Sequence, residues 1–120
     1  MAKIVRQGNL GAVLVLAVAF SLSSYAAPSP ALAADATVTI DNFTFDPPTL
    51  TVKAGTTVIW TNRDDIPHTV AATNRVFKSK AMDTDEKFSF TFTALGSYDY
   101  FCSLHPHMKG TIVVEASSGK

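Results

Sequence analysis

Residues 88–93 read FSFTFT, so that three phenylalanines alternate with a serine and two threonines. In a β-strand, successive side chains point to opposite faces, which places Phe88, Phe90 and Phe92 on one face. A helix would scatter the three rings around its circumference. The stretch therefore predicts a strand with one buried face and one polar face.

The same period of two recurs in other parts of the chain from Ala36 onward. Its apolar positions are Val38 and Ile40, Leu50 and Val52, Val58 and Trp60, Tyr98 and Tyr100, and Ile112 and Val114. Turn-forming residues separate these runs at intervals of roughly 8 to 12 residues. The pattern predicts an all-β sandwich of about seven to eight strands in two aligned sheets. Residues 73–85 are left unassigned, as either a short helical turn or an edge loop.

The N-terminal residues differ from the rest in composition. Lys3 and Arg6 precede the uncharged, largely apolar residues 10–22, and small residues follow up to Ala33. This layout is typical of a secretory signal peptide, here residues 1–33, and the apolar run is shorter than the ~20 residues of a membrane-spanning helix. Cleavage after Ala33 fits best, with Ala26 as an earlier alternative. We expect one exported domain, residues 34–120, without a membrane anchor.

The composition excludes several classes of protein. Ten basic and ten acidic residues balance over the chain, and residues 34–120 keep all ten acidic and eight of the basic ones, a formal charge of −2. No general affinity for nucleic acid is therefore implied. One cysteine cannot form an intramolecular disulfide, and three histidines are too few for a multinuclear metalloenzyme. We expect no enzyme activity from this chain alone.

One group of residues carries chemistry. Cys102, His105 and Met108 follow each other at a spacing of three, and His68 lies 34 residues before Cys102, at the predicted start of a strand. A thiolate, two imidazoles and a thioether suit copper, because two His and one Cys with a weak axial Met form the blue electron-transfer site. Zinc at the Cys and His positions is a second, redox-silent interpretation.

Each residue also has a plainer interpretation. A lone Cys or Met is more often a core residue than a ligand, and only the joint spacing with His105 favours the metal site for Cys102 and Met108. His107 is interpreted as a surface residue with no role in the site. Asp64 and Asp65 are interpreted as a solvated turn near His68.

Three segments, residues 60–68, 88–92 and 96–114, resemble the small blue copper proteins, the cupredoxins, and most closely the amicyanin-like branch of the plastocyanin/azurin family. The resemblance implies a Greek-key β-sandwich that binds one type 1 copper ion through His68, Cys102, His105 and Met108. It also implies that His105 is the ligand at the solvent edge, through which electrons pass.

The resemblance also implies a role and a location. Members of the family shuttle single electrons between larger redox proteins, such as a dehydrogenase and a c-type cytochrome or oxidase. We expect a monomer in the periplasm, in preference to the thylakoid lumen or the cell exterior. The alternative is a periplasmic carrier or buffer of copper without a relay role.

Two positions depart from the family pattern. Thr69 stands where many relatives have an Asn that ties down the ligand loop, and His107 stands where amicyanin-like loops carry an apolar residue. A hydroxyl replaces only part of the hydrogen bonding of an amide. By resemblance, an apolar collar around His105 would include Ile66, Met82, Leu104 and Pro106.

Overall fold

The computed structural model describes residues 2–4, 8, 11, 15–21, 23 and 35–117. The chain divides into two units, Met1–Pro30 and Ala31–Lys120, and the fold described here is that of the second. The predicted cleavage point after Ala33 lies outside the described residues. No membrane-spanning helix occurs in the described part of the chain.

The second unit is built from eight strands. They are β1 (Ala36–Asp41), β2 (Thr44–Asp46), β3 (Thr49–Lys53), β4 (Thr56–Asn62), β5 (Ala71–Ala72), β6 (Lys87–Phe92), β7 (Gly96–Phe101) and β8 (Lys109–Glu115). One sheet has the order β2-β1-β4-β6 and the other the order β3-β8-β7-β5. The predicted all-β sandwich of seven to eight strands is confirmed.

The two sheets share a pattern of pairing. In each, one pair of strands is parallel, β1 with β4 and β3 with β8, while the remaining pairs are antiparallel. A parallel pair needs a connection that leaves the pair and returns. Here each connection includes at least one strand of the opposite sheet, β3 between β1 and β4, and β4 and β6 between β3 and β8.

The core follows from the alternation in the sequence. Val38 and Ile40 are fully buried, and in β6 the Phe face is half-buried to buried whereas Ser89 and Thr91 are exposed. Trp60 lies at the centre of an aromatic cluster, with ring centroids 5.5 to 6.3 Å from those of Phe77, Phe88, Phe92 and Tyr100. Burying each large apolar side chain contributes about 1.5 to 3 kcal/mol, so this cluster is a main source of stability.

The unassigned segment, residues 73–85, is a loop that returns twice to the edge of the fold. Isolated bridges pair Ala71 with Lys78 and His68 with Met82. Directly before the first bridge, Phe77, 4% exposed, enters the aromatic core. The edge-loop alternative is therefore confirmed. The sequence of this loop has no alternating apolar positions, and the one ring of Phe77 anchors it to the core.

Tyr100 and Gly110 form a direct pair across β7 and β8. The Tyr100 ring covers Gly110, where an added Cβ atom would overlap the ring, so the position requires glycine. The Tyr100 hydroxyl is buried without a hydrogen-bond partner among the described residues. Burial raises the pKa of Tyr100 to about 12.

We expect Tyr100→Phe to keep or raise the free energy of unfolding near neutral pH, because the change removes a buried hydroxyl that makes no hydrogen bond. The phenol titrates near pH 10 in the unfolded chain and at about 12 in the folded one. Its contribution to stability is complete below about pH 10 and is lost as the pH rises through about 12, a loss the variant would not show.

Urea unfolding near neutral pH and at about pH 11 measures both effects. Tyr98→Phe is the matched control, because the Tyr98 hydroxyl does donate a hydrogen bond, to the Ala94 carbonyl at 2.7 Å. That variant should lose up to about 1 kcal/mol near neutral pH. An equal loss in Tyr100→Phe would contradict the prediction.

Candidate metal centre

The loop between β7 and β8 carries three of the four predicted ligands, and backbone hydrogen bonds join these three residues in a ring. The His105 N–H donates to the Cys102 carbonyl (3.2 Å), the Met108 N–H to the His105 carbonyl (2.9 Å), and the Cys102 N–H to the Met108 carbonyl (3.1 Å). The first two bonds each close a four-residue β-turn. The spacing that singled out these residues in the sequence is therefore the spacing of two successive tight turns.

His68 reaches the same place from a different part of the fold. It follows β4 and a five-residue connection, and its backbone exchanges two hydrogen bonds with Met82, of 3.2 and 2.8 Å. Its side chain is fully buried. The bridge to Met82 fixes the His68 backbone, so its imidazole has a defined position inside the protein.

The donor atoms of His68, Cys102 and His105 lie within 4.8 Å of one another. Cys102 Sγ is 3.8 Å from His68 Nδ1 and 3.7 Å from His105 Nδ1. Cys102 is fully buried and His105 is half-buried. Met108, 5% exposed, lies in the same loop and contacts Cys102 and His105 through its backbone.

The surroundings of Cys102 favour its thiolate. Burial alone would raise the pKa of the thiol, but the backbone N–H of Thr69, the two imidazoles and the backbone of Leu104 together lower it to about 6. The Thr69 N–H donates to Sγ at 3.3 Å. The thiolate is the form that binds a metal, and the fold stabilises it before any ion is present.

Thr69 links the two segments that carry the donor atoms. Besides its backbone bond to Sγ, its hydroxyl accepts from the Ser103 N–H and pairs with the Ser103 hydroxyl, both at 2.7 Å. The sequence suggested that Thr in place of Asn would weaken the tie between the loops. The structure gives Thr69 four contacts to residues 102 and 103, since its hydroxyl also lies 3.8 Å from Cys102 Sγ, and Ser103 supplies the second polar group.

Asp64 was interpreted as part of a solvated turn, and that interpretation is wrong. It is 8% exposed, and its Oδ2 accepts from His68 Nε2 at 2.8 Å and from the Phe43 N–H at 3.0 Å. The Phe43 N–H is the main cause that holds the pKa of Asp64 below its ordinary value, burial opposes it, and His68 adds to the lowering. An ionised carboxylate only accepts, so Nε2 carries a proton, and Nδ1 is the nitrogen that would bind a metal.

Asn62 was also missed in the sequence. Its fully buried side chain donates to the Ile66 and Met82 carbonyls, both at 2.9 Å, and accepts from the Asp64 N–H at 2.9 Å. It thus braces the connection between β4 and His68 from within. The sequence did hold a signal for this role, because Asn62 is a polar residue shortly before the candidate ligand His68, and polar groups commonly hold metal-binding histidines in place.

The surface around His105 agrees only in part with the expected collar. Leu104 is 51% exposed, Pro106 is exposed and Ile66 is half-buried, but Met82 is 3% exposed and belongs to the core. Met82 is drawn inward by its bridge to His68. His107 is exposed and lies outside the donor cluster, consistent with its interpretation as a surface residue.

The donor set fits a soft transition-metal ion. Metal–sulfur and metal–nitrogen bonds of about 2.3 and 2.0 Å, arranged in a trigonal plane, separate the donor atoms by about 3.7 Å. The observed Sγ to Nδ1 distances match this separation. A Met thioether is not among the usual ligands of zinc but is one at blue copper sites, so the residues present fit copper better than zinc.

Comparisons with known proteins agree with this geometry. Residues 12–114 match the family model described as a cupredoxin-like domain. Amicyanin of Paracoccus versutus is 41% identical over 88 residues, covering 68% of this chain and 67% of that protein. Amicyanin of Paracoccus denitrificans is 38% identical over 115 residues, covering 90% and 86%. The structure of a purple cupredoxin from Nitrosopumilus maritimus superimposes with a TM-score of 0.65 at 33% identity, covering 68% of this chain and all of that one.

We expect Thr69→Val to lower the free energy of unfolding of the metal-free protein by about 1 to 3 kcal/mol, because the Ser103 N–H and hydroxyl lose their buried partner. Thr57→Val is the matched control, since Thr57 forms a hydroxyl pair of the same 2.7 Å length with Thr91 at the surface. That variant should change stability by less than about 0.5 kcal/mol. Urea unfolding measures the free energy of unfolding of both variants, and an equal loss in the two would contradict the prediction.

We expect Asp64→Asn to destabilise the metal-free protein by about 1 to 3 kcal/mol and to weaken Cu(II) binding about 10- to 100-fold, because the amide holds the His68 tautomer less firmly. Asp65→Asn removes the same charge from the exposed neighbouring residue and should have little effect. Urea unfolding and a competition titration with Cu(II) measure the two quantities. The same loss of affinity in both variants would contradict the prediction, because Asp64 would then act only through its negative charge.

Proposed function

This chain belongs to the cupredoxin-like family, and we propose that it is an electron-transfer protein that holds one type 1 copper ion through His68, Cys102, His105 and Met108. The observation that carries the proposal is the cluster of one thiol and two imidazole Nδ1 atoms within 4.8 Å. When bound, copper supplies a reversible one-electron couple between Cu(I) and Cu(II).

The chain contributes a site that changes little between the two states. The backbone ring of the ligand loop, the bridge between His68 and Met82, and the contacts of Thr69 hold the donor atoms from several directions. Cu(I) and Cu(II) prefer different geometries, so a frame that resists rearrangement favours fast electron exchange. We propose that rigidity of the protein, supplied before the ion binds, is its main contribution.

The path for electrons in this proposal passes through His105. Of the two histidines in the cluster, His68 is fully buried and His105 is half-buried. The exposed Leu104 and Pro106 flank it in the sequence and offer an apolar contact surface. A partner that docks there reaches one edge of the site without displacing a ligand.

The proposed partners are larger redox proteins, one as donor and one as acceptor, such as a dehydrogenase and a c-type cytochrome or oxidase. Residues 1–33 would direct the chain to the periplasm and be removed, leaving residues 34–120 as a monomeric domain. This part of the proposal is supported by the signal-peptide layout of the sequence and by the homology with amicyanins.

A copper carrier is the alternative, and burial of the donor atoms counts against it. Carriers exchange their ion with partners and need accessible ligands, whereas Cys102 and His68 are fully buried here. We propose no catalytic activity, because the four proposed ligands would occupy the coordination positions of the ion and leave none open for a substrate.

The test is a titration of residues 34–120 with Cu(II), followed by visible absorption and electron paramagnetic resonance. We expect an intense band from charge transfer between thiolate and copper, a small copper hyperfine splitting, saturation at one ion per chain and reversible bleaching by a mild reductant. A pale, tetragonal spectrum or binding of several weak ions would contradict the electron-transfer proposal and favour the carrier.

Substitution of the ligands gives a sharper test. Cys102→Ser should abolish the visible band, because no other thiol is present. Met108→Leu should keep copper but raise the reduction potential, since Cu(I) tolerates the loss of a ligand better than Cu(II) does. Met82→Leu is the matched control, as Met82 is equally buried. An intact band in Cys102→Ser, or the same potential in both Met variants, would overturn the respective assignment.

A further inference from the structure

Phe43 occupies an unusual backbone conformation. Asn42 and Phe43 connect β1 to β2 with φ angles of 49° and 57°, both in the left-handed region. Two-residue hairpin turns of this kind favour Asn followed by Gly. An aromatic residue in the second position is strained, and such strain persists in proteins mainly where the surroundings or the function require it.

The Phe43 side chain packs on the candidate metal centre. Its ring lies edge-on to those of His68 and His105, with centroids 5.5 and 5.0 Å apart and interplanar angles of 87° and 88°. The two imidazoles are 4.9 Å from each other, so the three rings form a compact triangle. Phe43 nevertheless remains 48% exposed, so burial alone does not account for an aromatic residue at this position.

The two histidines are held by different means. His68 Nε2 has the Asp64 carboxylate as its partner. His105 Nε2 has no hydrogen-bond partner among the described residues, and the other polar contact of its ring is that of Nδ1 with Cys102 Sγ. Metal-binding histidines are usually oriented by a second group. For His105 the Phe43 ring is the group in a position to do so.

We infer that Phe43 is the positioning residue for His105. Its ring holds the orientation of the half-buried imidazole by packing, whereas Asp64 holds the buried imidazole of His68 by a hydrogen bond. The inference rests on the proposed function in so far as it concerns a bound ion. In the metal-free protein the Phe43 ring restricts rotation of the His105 imidazole, and in the loaded protein it slows release of that ligand.

The backbone of Phe43 allows its side chain to be tested separately. The Phe43 N–H, and not the ring, donates to Asp64, so a change of side chain leaves that bond available. Phe43→Gly removes the ring and relieves the left-handed strain, Phe43→Leu removes the ring and keeps the strain, and Phe43→Tyr keeps both. Effects of the ring and of the strain are therefore distinguishable.

The decisive experiment is side-chain NMR relaxation dispersion on the histidine rings of the metal-free protein, which detects exchange on the microsecond to millisecond scale. We expect increased exchange at His105 in both Phe43→Gly and Phe43→Leu, and wild-type behaviour in Phe43→Tyr. His107, exposed on the same loop, is the internal control and should not change. Unchanged exchange at His105 in the Gly and Leu variants would overturn the inference. Opposite behaviour of these two variants would overturn it as well, because strain and not the ring would then be responsible.

A second measurement uses the loaded protein. Release of Cu(II) to excess chelator, followed at the visible band, should be roughly threefold to tenfold faster in Phe43→Leu than in wild type or Phe43→Tyr, the range expected for loss of aromatic contacts. Equal release rates would overturn the role of the ring toward the ion. If wild type forms no visible band, the proposed function fails, whereas the relaxation experiment on metal-free protein still decides the role of Phe43.

Discussion

The hydrogen bond from the Thr69 N–H to Cys102 Sγ joins two segments that are 33 residues apart in the chain. One segment, after β4, brings His68, and the other, after β7, brings Cys102, His105 and Met108. A thiolate and two imidazoles can share one ion only if these segments lie side by side. The sandwich serves this purpose, because it brings the ends of β4 and β7, from different sheets, to the same end of the molecule.

The candidate centre is prepared before an ion binds, and each donor atom is prepared differently. The thiol of Cys102 has a pKa lowered to about 6, since neighbouring N–H groups and imidazoles outweigh the effect of burial. His68 presents Nδ1 because the carboxylate of Asp64 requires the proton on Nε2. The His105 backbone is held by hydrogen bonds to Cys102 and Met108, and its ring packs edge-on against the Phe43 ring.

Most of the fold and the main donor atoms could be predicted from local patterns. Alternation in residues 88–93 identifies a strand, and the spacing of Cys102, His105 and Met108 identifies the loop, because both are properties of neighbouring residues. Asp64 could not be recognised in this way. Its partner Phe43 lies 21 residues away and becomes its neighbour only in the folded chain, so an acidic residue in a polar turn looks solvated from its sequence alone. The role of Phe43 could not be predicted for the same reason, because His68 and His105 are distant from it in the sequence.

The register of β7 and β8 makes the ligand loop a separable part of the molecule. Phe101 pairs directly with Lys109, and residues 102–108 form the loop that joins the two paired strands. Three of the four candidate ligands therefore lie in one short, contiguous loop, whereas His68 and Asp64 lie in another part of the chain. A change in the length of this loop would therefore alter the spacing of three of the four candidate ligands at once, while the register of β7 with β8 is set by pairs outside the loop.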